Sequence, residues 1–351
     1  MSRPDPGGHL LVLAGRSGFE SLVGPVPDDL EPRFRFQKPR SALRIRSRLS
    51  ESRLVISKSY RRPEVNRWIL AARRLGIPTL LVVDGPLEWS NLYRAEHRIL
   101  SPEAGGLFEP IIHDAVASIG PGQTRWLAAR NEGREIAWLD YRNHRIQSSN
   151  GGSTIRPPPP DVDGMPSAEF DFLLTTARRA WIGPAEKRDL ERLLETCASA
   201  LARSGHRVLV RIFDEGLRAR IRMRLPRARF EDTGSSARAI SRVRCVLGTS
   251  SSLLLEAMQW ERPTATLIFR DSPLFYQTGW LLGPTTDWNA SFESMQARDP
   301  RRMDFQRHSL RTHLSAEDFF DPCRRVLAGT FLTRPRLFDD LDRAFERRLG
   351  C

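Results

Sequence analysis

The chain has 351 residues, 40% hydrophobic and 28% charged, enough to bury two ordinary cores and too apolar for a disordered chain. Its formal net charge of +13 comes almost wholly from arginine, with lysine only at Lys38, Lys58 and Lys187. These arginines are scattered, and the densest stretch, residues 33–62, lacks interleaved aromatic rings. This excludes nucleic acid as the expected partner and leaves phosphate-bearing ligands or an anionic membrane face.

In chain order, residues 9–14 (His-Leu-Leu-Val-Leu-Ala) read as a buried strand, followed by a Gly15-Arg16-Ser17-Gly18 turn. Residues 54–57 form a second apolar run. Residues 63–76 change to a helical period, with Val65, Trp68, Ile69, Ala72 and Leu75 on one face and Gly76 as the stop. Residues 78–83 follow at once as a strand, which gives a parallel βαβ unit. A strand over 115–119, a helix over 123–131 and a strand over 135–141 continue the alternation. Ser148 to Ser153 and the four prolines from Pro157 to Pro160 exclude a core element there.

The second half repeats the layout. Strands are expected over 170–175, 207–213, around 228–230, over 243–247 and over 264–269. Helices are expected over 184–204, 217–225, from 235, over 253–260, and near 316–327 and 337–349. The fold class is therefore α/β, with two Rossmann-like doubly wound domains. The expected domains are 1–142, a Gly/Ser/Pro-rich linker over 143–167, a second domain over 168–330, and a last helix over 331–351 that packs back. That helix mixes Leu and Phe with Arg343, Arg347 and Arg348, so docking on an anionic membrane is its other reading. No run approaches the roughly 20 apolar residues of a spanning helix, and the first apolar run is too short for a signal-peptide core. A cytoplasmic protein, peripheral at most to the inner membrane, is expected.

The strongest constellation is Gly248-Thr249-Ser250-Ser251-Ser252 followed by Leu253 to Met258. A strand ends, glycine allows a tight turn, and hydroxyls gather where unpaired amides open a helix, which is the geometry of an anion site. Glu256, one turn further on, can accept hydrogen bonds from ribose hydroxyls. A plain Ser cap with an exposed Glu is the alternative. Thr176, Arg178 and Arg179 follow the first strand of the second half and can meet phosphates, unless they form a solvated basic loop. Asp84 and Glu88, in Asp-Gly-Pro-Leu-Glu-Trp-Ser-Asn, lie past a strand end, where ligands of such sheets bind. Either can serve as a general base, Asp84 first; turn chemistry is the other reading of Asp84-Gly85. His113, just before a strand, is a third candidate. Asp-x-Asp occurs only as Asp161-Val162-Asp163 in the linker, and Cys197, Cys245, Cys323 and Cys351 form no CxxC pair. No metal site and no bound cofactor are expected.

Residues 248–263 resemble the second-domain signature of GT-B glycosyltransferases and their relatives, above all bacterial surface and capsular polysaccharide enzymes. Ser251 and Ser252 match its hydroxyl pair, Glu256 and Ala257 its Glu-Ala, and Pro263 its proline. Glu261 stands where that signature often has glycine, and Arg211-Ile212-Phe213-Asp214 stands where several relatives carry His-Pro. The resemblance implies two domains facing across a cleft. The donor would be a nucleotide-sugar on Thr249, Ser250, Ser251, Ser252 and Glu256, and the acceptor a glycan or lipid-linked molecule on the first domain. It also implies inverting transfer with Asp84 or Glu88 as base, and the lack of an Asp-x-Asp motif at a strand end fits a metal-independent mechanism. A nucleotide-sugar epimerase or hydrolase, or a non-catalytic binding subunit, shares the fold.

Overall fold

The computed structural model describes residues 8–39, 45–58, 60, 62–83, 85–92, 107–144, 168–177, 183–231, 233–271, 275–333 and 336–349. The chain forms two compact units. One comprises residues 1–84, 91–145 and 313–351, and the other residues 85–90 and 146–312. The second unit thus ends at Thr312, not at 330, because the segment from His313 onward is packed in the first. Most of the expected linker lies outside the described residues.

In the first unit, six strands form one parallel sheet: β1 (His9–Val12), β2 (Phe34–Phe36), β3 (Ser52–Ser57), β4 (Thr79–Val82), β5 (Ala115–Ser118) and β6 (Ala137–Asp140), in the order β2-β1-β3-β4-β5-β6. The helix Pro63–Arg74 buries Val65, Trp68, Ile69 and Ala72, the face that its period predicts. Gly15-Arg16-Ser17-Gly18 is not a simple turn, since the helix Arg16–Val23 begins inside it and buries Phe19, Leu22 and Val23. The C-terminal segment completes this unit. Phe319 packs on Phe19 and Tyr141, and Phe320 on Phe34. Arg73, fully buried, bonds Asp342 at 2.8 Å from inside the helix Pro63–Arg74. The last helix, Asp340–Leu349, therefore packs back on the first unit.

In the second unit the strands are β7 (Phe170–Thr175), β8 (Val208–Arg211), β9 (Arg229–Phe230), β10 (Val243–Gly248), β11 (Thr264–Leu267) and β12 (Trp280–Leu282), all parallel in the order β12-β11-β10-β7-β8-β9. Side chains alternate between its two faces, as a pleated strand requires. Phe172 and Leu174 join the core under the helix Pro184–Arg203, while Leu173 joins Leu254 and Ala257 on the other side. The helix Ser252–Gln259 ends with Glu261 in the left-handed region (φ 56°). Its backbone makes the paired closing bonds of a Schellman turn, Glu261 N–H to Met258 O and Arg262 N–H to Ala257 O, both 3.0 Å. Glutamate takes the glycine position because Arg307 binds its carboxylate at 2.8 Å and Arg298 its carbonyl at 2.9 Å.

Among the described residues no helix is long and apolar enough to cross a membrane. Cys197, Cys245 and Cys323 are buried free thiols, and burial pushes the Cys245 thiol up to about 12.

Candidate functional site

The strand order of the second sheet creates the site. From β7 the chain winds outward through β8 and β9, and from β10 outward the other way through β11 and β12. The helices that follow β7 and β10 pack on opposite faces of the sheet, and the carboxyl ends of two such strands are where ligands of these sheets bind. Gly248 pairs with Thr175 at this point. A β-carbon on Gly248 would stand 2.7 Å from Thr175 Cγ2 and 3.1 Å from Thr175 O, so only glycine allows the two strand ends to approach this closely. Thr249 ties the loops together. Its N–H donates to Thr175 O at 3.3 Å, and its Oγ1 accepts from the Ala177 N–H at 2.8 Å. Thr176 is buried beside it, bonded through its N–H to Arg211 O at 3.3 Å.

The helix Ser252–Gln259 starts directly after this knot. Ser251 is its N-cap residue, in extended backbone, yet its side chain makes no capping bond. The Ser251 hydroxyl is buried with no hydrogen-bond partner among the described residues. Helix amides without a side-chain cap, next to an unpaired hydroxyl, are an arrangement that favours an anion. Glu256 lies one turn along and is only 5% exposed. The alternative of a capping serine with an exposed glutamate fails on both counts. A buried carboxylate costs several kcal/mol unless hydrogen-bonded (~2–7 kcal/mol for polar groups, more for charges), so its placement serves contacts and not solubility.

A charged cluster adjoins the hydroxyl loop. Glu88 Oε2 accepts from Arg270 Nη2 at 2.8 Å, and both side chains are buried. Glu186 Oε1 and Asp271 Oδ1 each stand 3.6 Å from the same guanidinium. Burial raises the Glu88 carboxyl above its usual range, while Arg270 pulls it down, Asp271 pushes it up and a hydrogen bond with Ser250 lowers it. Ser250 Oγ also lies 3.4 Å from the Tyr276 hydroxyl, whose own ionisation is pushed up by burial.

The structure places Thr176, Thr249, Ser250, Ser251 and Ser252 at the carboxyl ends of β7 and β10, with Glu256 buried one turn into the helix that follows. Glu88 joins them, although the sequence assigns it to the first domain: residues 85–90 pack with the second unit, where Arg270 offsets the cost of burying the carboxylate. Asp84, Arg178 and Arg179 lie outside the described residues. His113 is elsewhere, in the first unit, with Nε2 2.9 Å from Ser57 Oγ and both residues fully buried. Burial, with Arg73 nearby, pushes its imidazole down to about 3, so it stays neutral. Sequence reasoning missed Arg270, Tyr276 and a contact role for Arg211, whose Nη2 donates to Gly234 O at 2.8 Å. Arg270 was within reach of the same logic that singled out Asp84, because it follows β11 at the carboxyl edge.

No family model matches the sequence, and no curated protein matches it either. Solved structures do. MnaA of S. aureus, solved with UDP, superposes over 95% of this chain and all of its own, with TM-score 0.55 and 12% identity. A UDP-GlcNAc 2-epimerase from Neisseria meningitidis bound to UDP-GlcNAc covers 89% of this chain and 95% of its own, with TM-score 0.53 and 13% identity. A further UDP-N-acetylglucosamine 2-epimerase covers 95% and 98%, with TM-score 0.53 and 15% identity. The chain thus shares with these proteins the fold of two Rossmann-like units.

Proposed function

We propose that this protein is an enzyme that binds a nucleotide-activated sugar at the carboxyl edge of the second sheet and acts on its sugar–phosphate bond. The observation that carries the reading is the uncapped start of the helix Ser252–Gln259 at the switch point, with the Ser251 hydroxyl unspent and Glu256 buried one turn below. Amides and hydroxyls of Thr249, Ser250, Ser251 and Ser252 bind the diphosphate, and Glu256 accepts from the ribose hydroxyls. Thr176, Arg178 and Arg179 add phosphate contacts from the loop after β7. Thr249 contributes its hydroxyl proton, since its N–H is donated to Thr175 O while its Oγ1 only accepts from Ala177.

In glycosyl transfer, Glu88 or Asp84 takes the proton of an acceptor hydroxyl. The acceptor oxygen bonds to the anomeric carbon as the sugar–phosphate bond breaks, and the nucleoside diphosphate leaves with that electron pair. Arginine side chains and helix amides stabilise the departing charge without a metal ion. The acceptor is a glycan or lipid-linked molecule of surface polysaccharide synthesis, met in the cytoplasm or at the inner membrane. Epimerisation or hydrolysis of the nucleotide-sugar is the second reading. It is favoured by the full-length likeness to proteins solved as UDP-GlcNAc 2-epimerases.

A thermal-shift screen against CMP, CDP, UDP, GDP and their sugars, repeated on Glu256→Ala, tests the donor site. Stabilisation by one nucleotide, lost in the variant, is the expected result; no shift with any nucleotide sinks it. Incubation with the selected nucleotide-sugar alone then separates the reactions, because only epimerisation or hydrolysis proceeds without an acceptor.

A further inference from the structure

A cation linked through Glu88 to the proposed donor loop is already engaged. Arg270 Nη2 bonds Glu88 at 2.8 Å, Nη1 stands 3.6 Å from Glu186 and Nε 3.6 Å from Asp271. The guanidinium also lies over the Phe269 ring, 5.2 Å from its centroid. Side-chain exposure is 7% for Arg270 and 8% for Glu88, so neither charge is screened by bulk water. Glu88 in turn meets Ser250, in the loop that opens the helix Ser252–Gln259.

Three carboxylates around one guanidinium give this cluster an excess of negative charge when all are ionised. A diphosphate on the adjoining amides brings further negative charge into the same desolvated space, where like charges repel strongly. Two events remove the conflict together. The planar fork of Arg270 fits phosphate oxygens as well as it fits a carboxylate, and Glu88, once it loses its cation, is neutralised by a proton. Glu88 is suited to that exchange. Burial and Asp271 already favour its protonated form, and Arg270 is the main group opposing it, with a smaller contribution from Ser250. Among the described residues Tyr276 and Glu186 are the other titratable groups seen to meet this cluster, and neither supplies a countercharge: the tyrosine stays neutral, and Glu186 is a further carboxyl group.

We propose that Arg270 is a diphosphate-binding residue held in reserve by Glu88: docking of a nucleoside diphosphate transfers the guanidinium from Glu88 to the phosphates, and Glu88 takes up one proton from solvent. This rests on the donor-site reading above. It makes Glu88 a proton-bearing group in the loaded site, an acid, and of the two candidate bases leaves that role in the proposed transfer to Asp84.

Calorimetric titration of the full chain tests it, with UDP against uridine, and CDP and GDP against their nucleosides, at pH 6, 7 and 8 in buffers of different ionisation enthalpy. The expected result is uptake of one proton with the diphosphate and none with the nucleoside. Diphosphate affinity then falls about tenfold per pH unit where Glu88 is otherwise ionised. Glu88→Gln abolishes the uptake and tightens diphosphate binding at pH 8. Arg270→Gln weakens the diphosphate about tenfold or more and leaves the nucleoside unchanged. The double variant Glu88→Gln/Arg270→Gln, which buries no unpaired charge, shows the same selective loss and guards against misfolding of the single variant. Diphosphate binding without proton uptake, or equal losses for diphosphate and nucleoside in the double variant, overturns the exchange and leaves the donor site standing. No binding of any diphosphate by the unaltered protein overturns both.

Discussion

The two sheets have closely similar architecture and treat their carboxyl edges in opposite ways. Behind β5 of the first unit, Gly120 lies so close to the returning chain that a β-carbon would stand 1.9 Å from His313 O. Ser315 N–H closes onto Ile119 O at 2.9 Å and Arg142 N–H onto Glu317 O at 2.7 Å. The protein's own backbone satisfies that edge. Behind β10 of the second unit, Gly248 is constrained less tightly, by its neighbouring strand, and the loop beyond it keeps a buried hydroxyl without a partner among the described residues. A glycine at a strand end therefore marks a close approach of some kind. What approaches, the chain or a ligand, depends on whether the polar groups around it are already paired.

Substituting the two glycines is the sharpest way to break the comparison. Gly120→Ala forces backbone apart and is expected to cost about 3 kcal/mol or more of stability in urea unfolding, with nucleotide affinity within twofold of the parent. Gly248→Ala is expected to cost about 1–3 kcal/mol and to weaken nucleotide binding at least tenfold, because the Thr175–Thr249 knot positions the loop. Equal effects of both on binding would remove the distinction between a closed and an open edge.

Smaller effects sharpen it. His113 of the first unit is held neutral, its folded pKa near 3 lying below the unfolded value of about 6.5. The unfolded chain then binds a proton that the native state refuses, so the stability is present above pH 6.5 and is lost as pH falls toward 3. Between pH 6.5 and 5 this residue alone is expected to remove about 2 kcal/mol. Urea unfolding of His113→Gln at pH 7 and 5 should show a flatter profile by that amount. The smallest effect is at Glu261, where Glu261→Gly relieves a left-handed backbone but forfeits the Arg307 contact. A net gain below about 1 kcal/mol in urea unfolding is expected, and a loss would show that the ion pair outweighs the backbone strain.

Much of this was legible in the residues. Apolar runs and helical periods placed ten of the strands and the helix that follows the hydroxyl loop, because burial of one face imposes a period on the sequence. The short strands β2 and β12 carry three residues each, too few to show any period. The helices Trp288–Gln296 and Pro300–His313 lack a clean apolar stripe, so they escaped the same reasoning. At the site, the hydroxyls and Glu256 were visible because strand, glycine, serines and helix follow one another directly. Arg270 could have been noted as a residue following β11 at the carboxyl edge, but its pairing with Glu88, and the contact of Tyr276 with Ser250, join segments remote in sequence and were not legible.

The sequence by itself determined the alternating α/β layout, the glycine at the end of β10 and the run of hydroxyls opening the next helix, all of which are local consequences of periodicity and turn chemistry. Only the tertiary structure decided which groups were already spent. It paired Thr249 with Ala177, left the Ser251 hydroxyl without a partner among the described residues, buried Glu256, and drew Glu88 out of its sequence neighbourhood to Arg270. The physical reason is that hydrogen-bond and charge satisfaction are properties of three-dimensional neighbours, and a buried carboxylate goes where a cation can meet it.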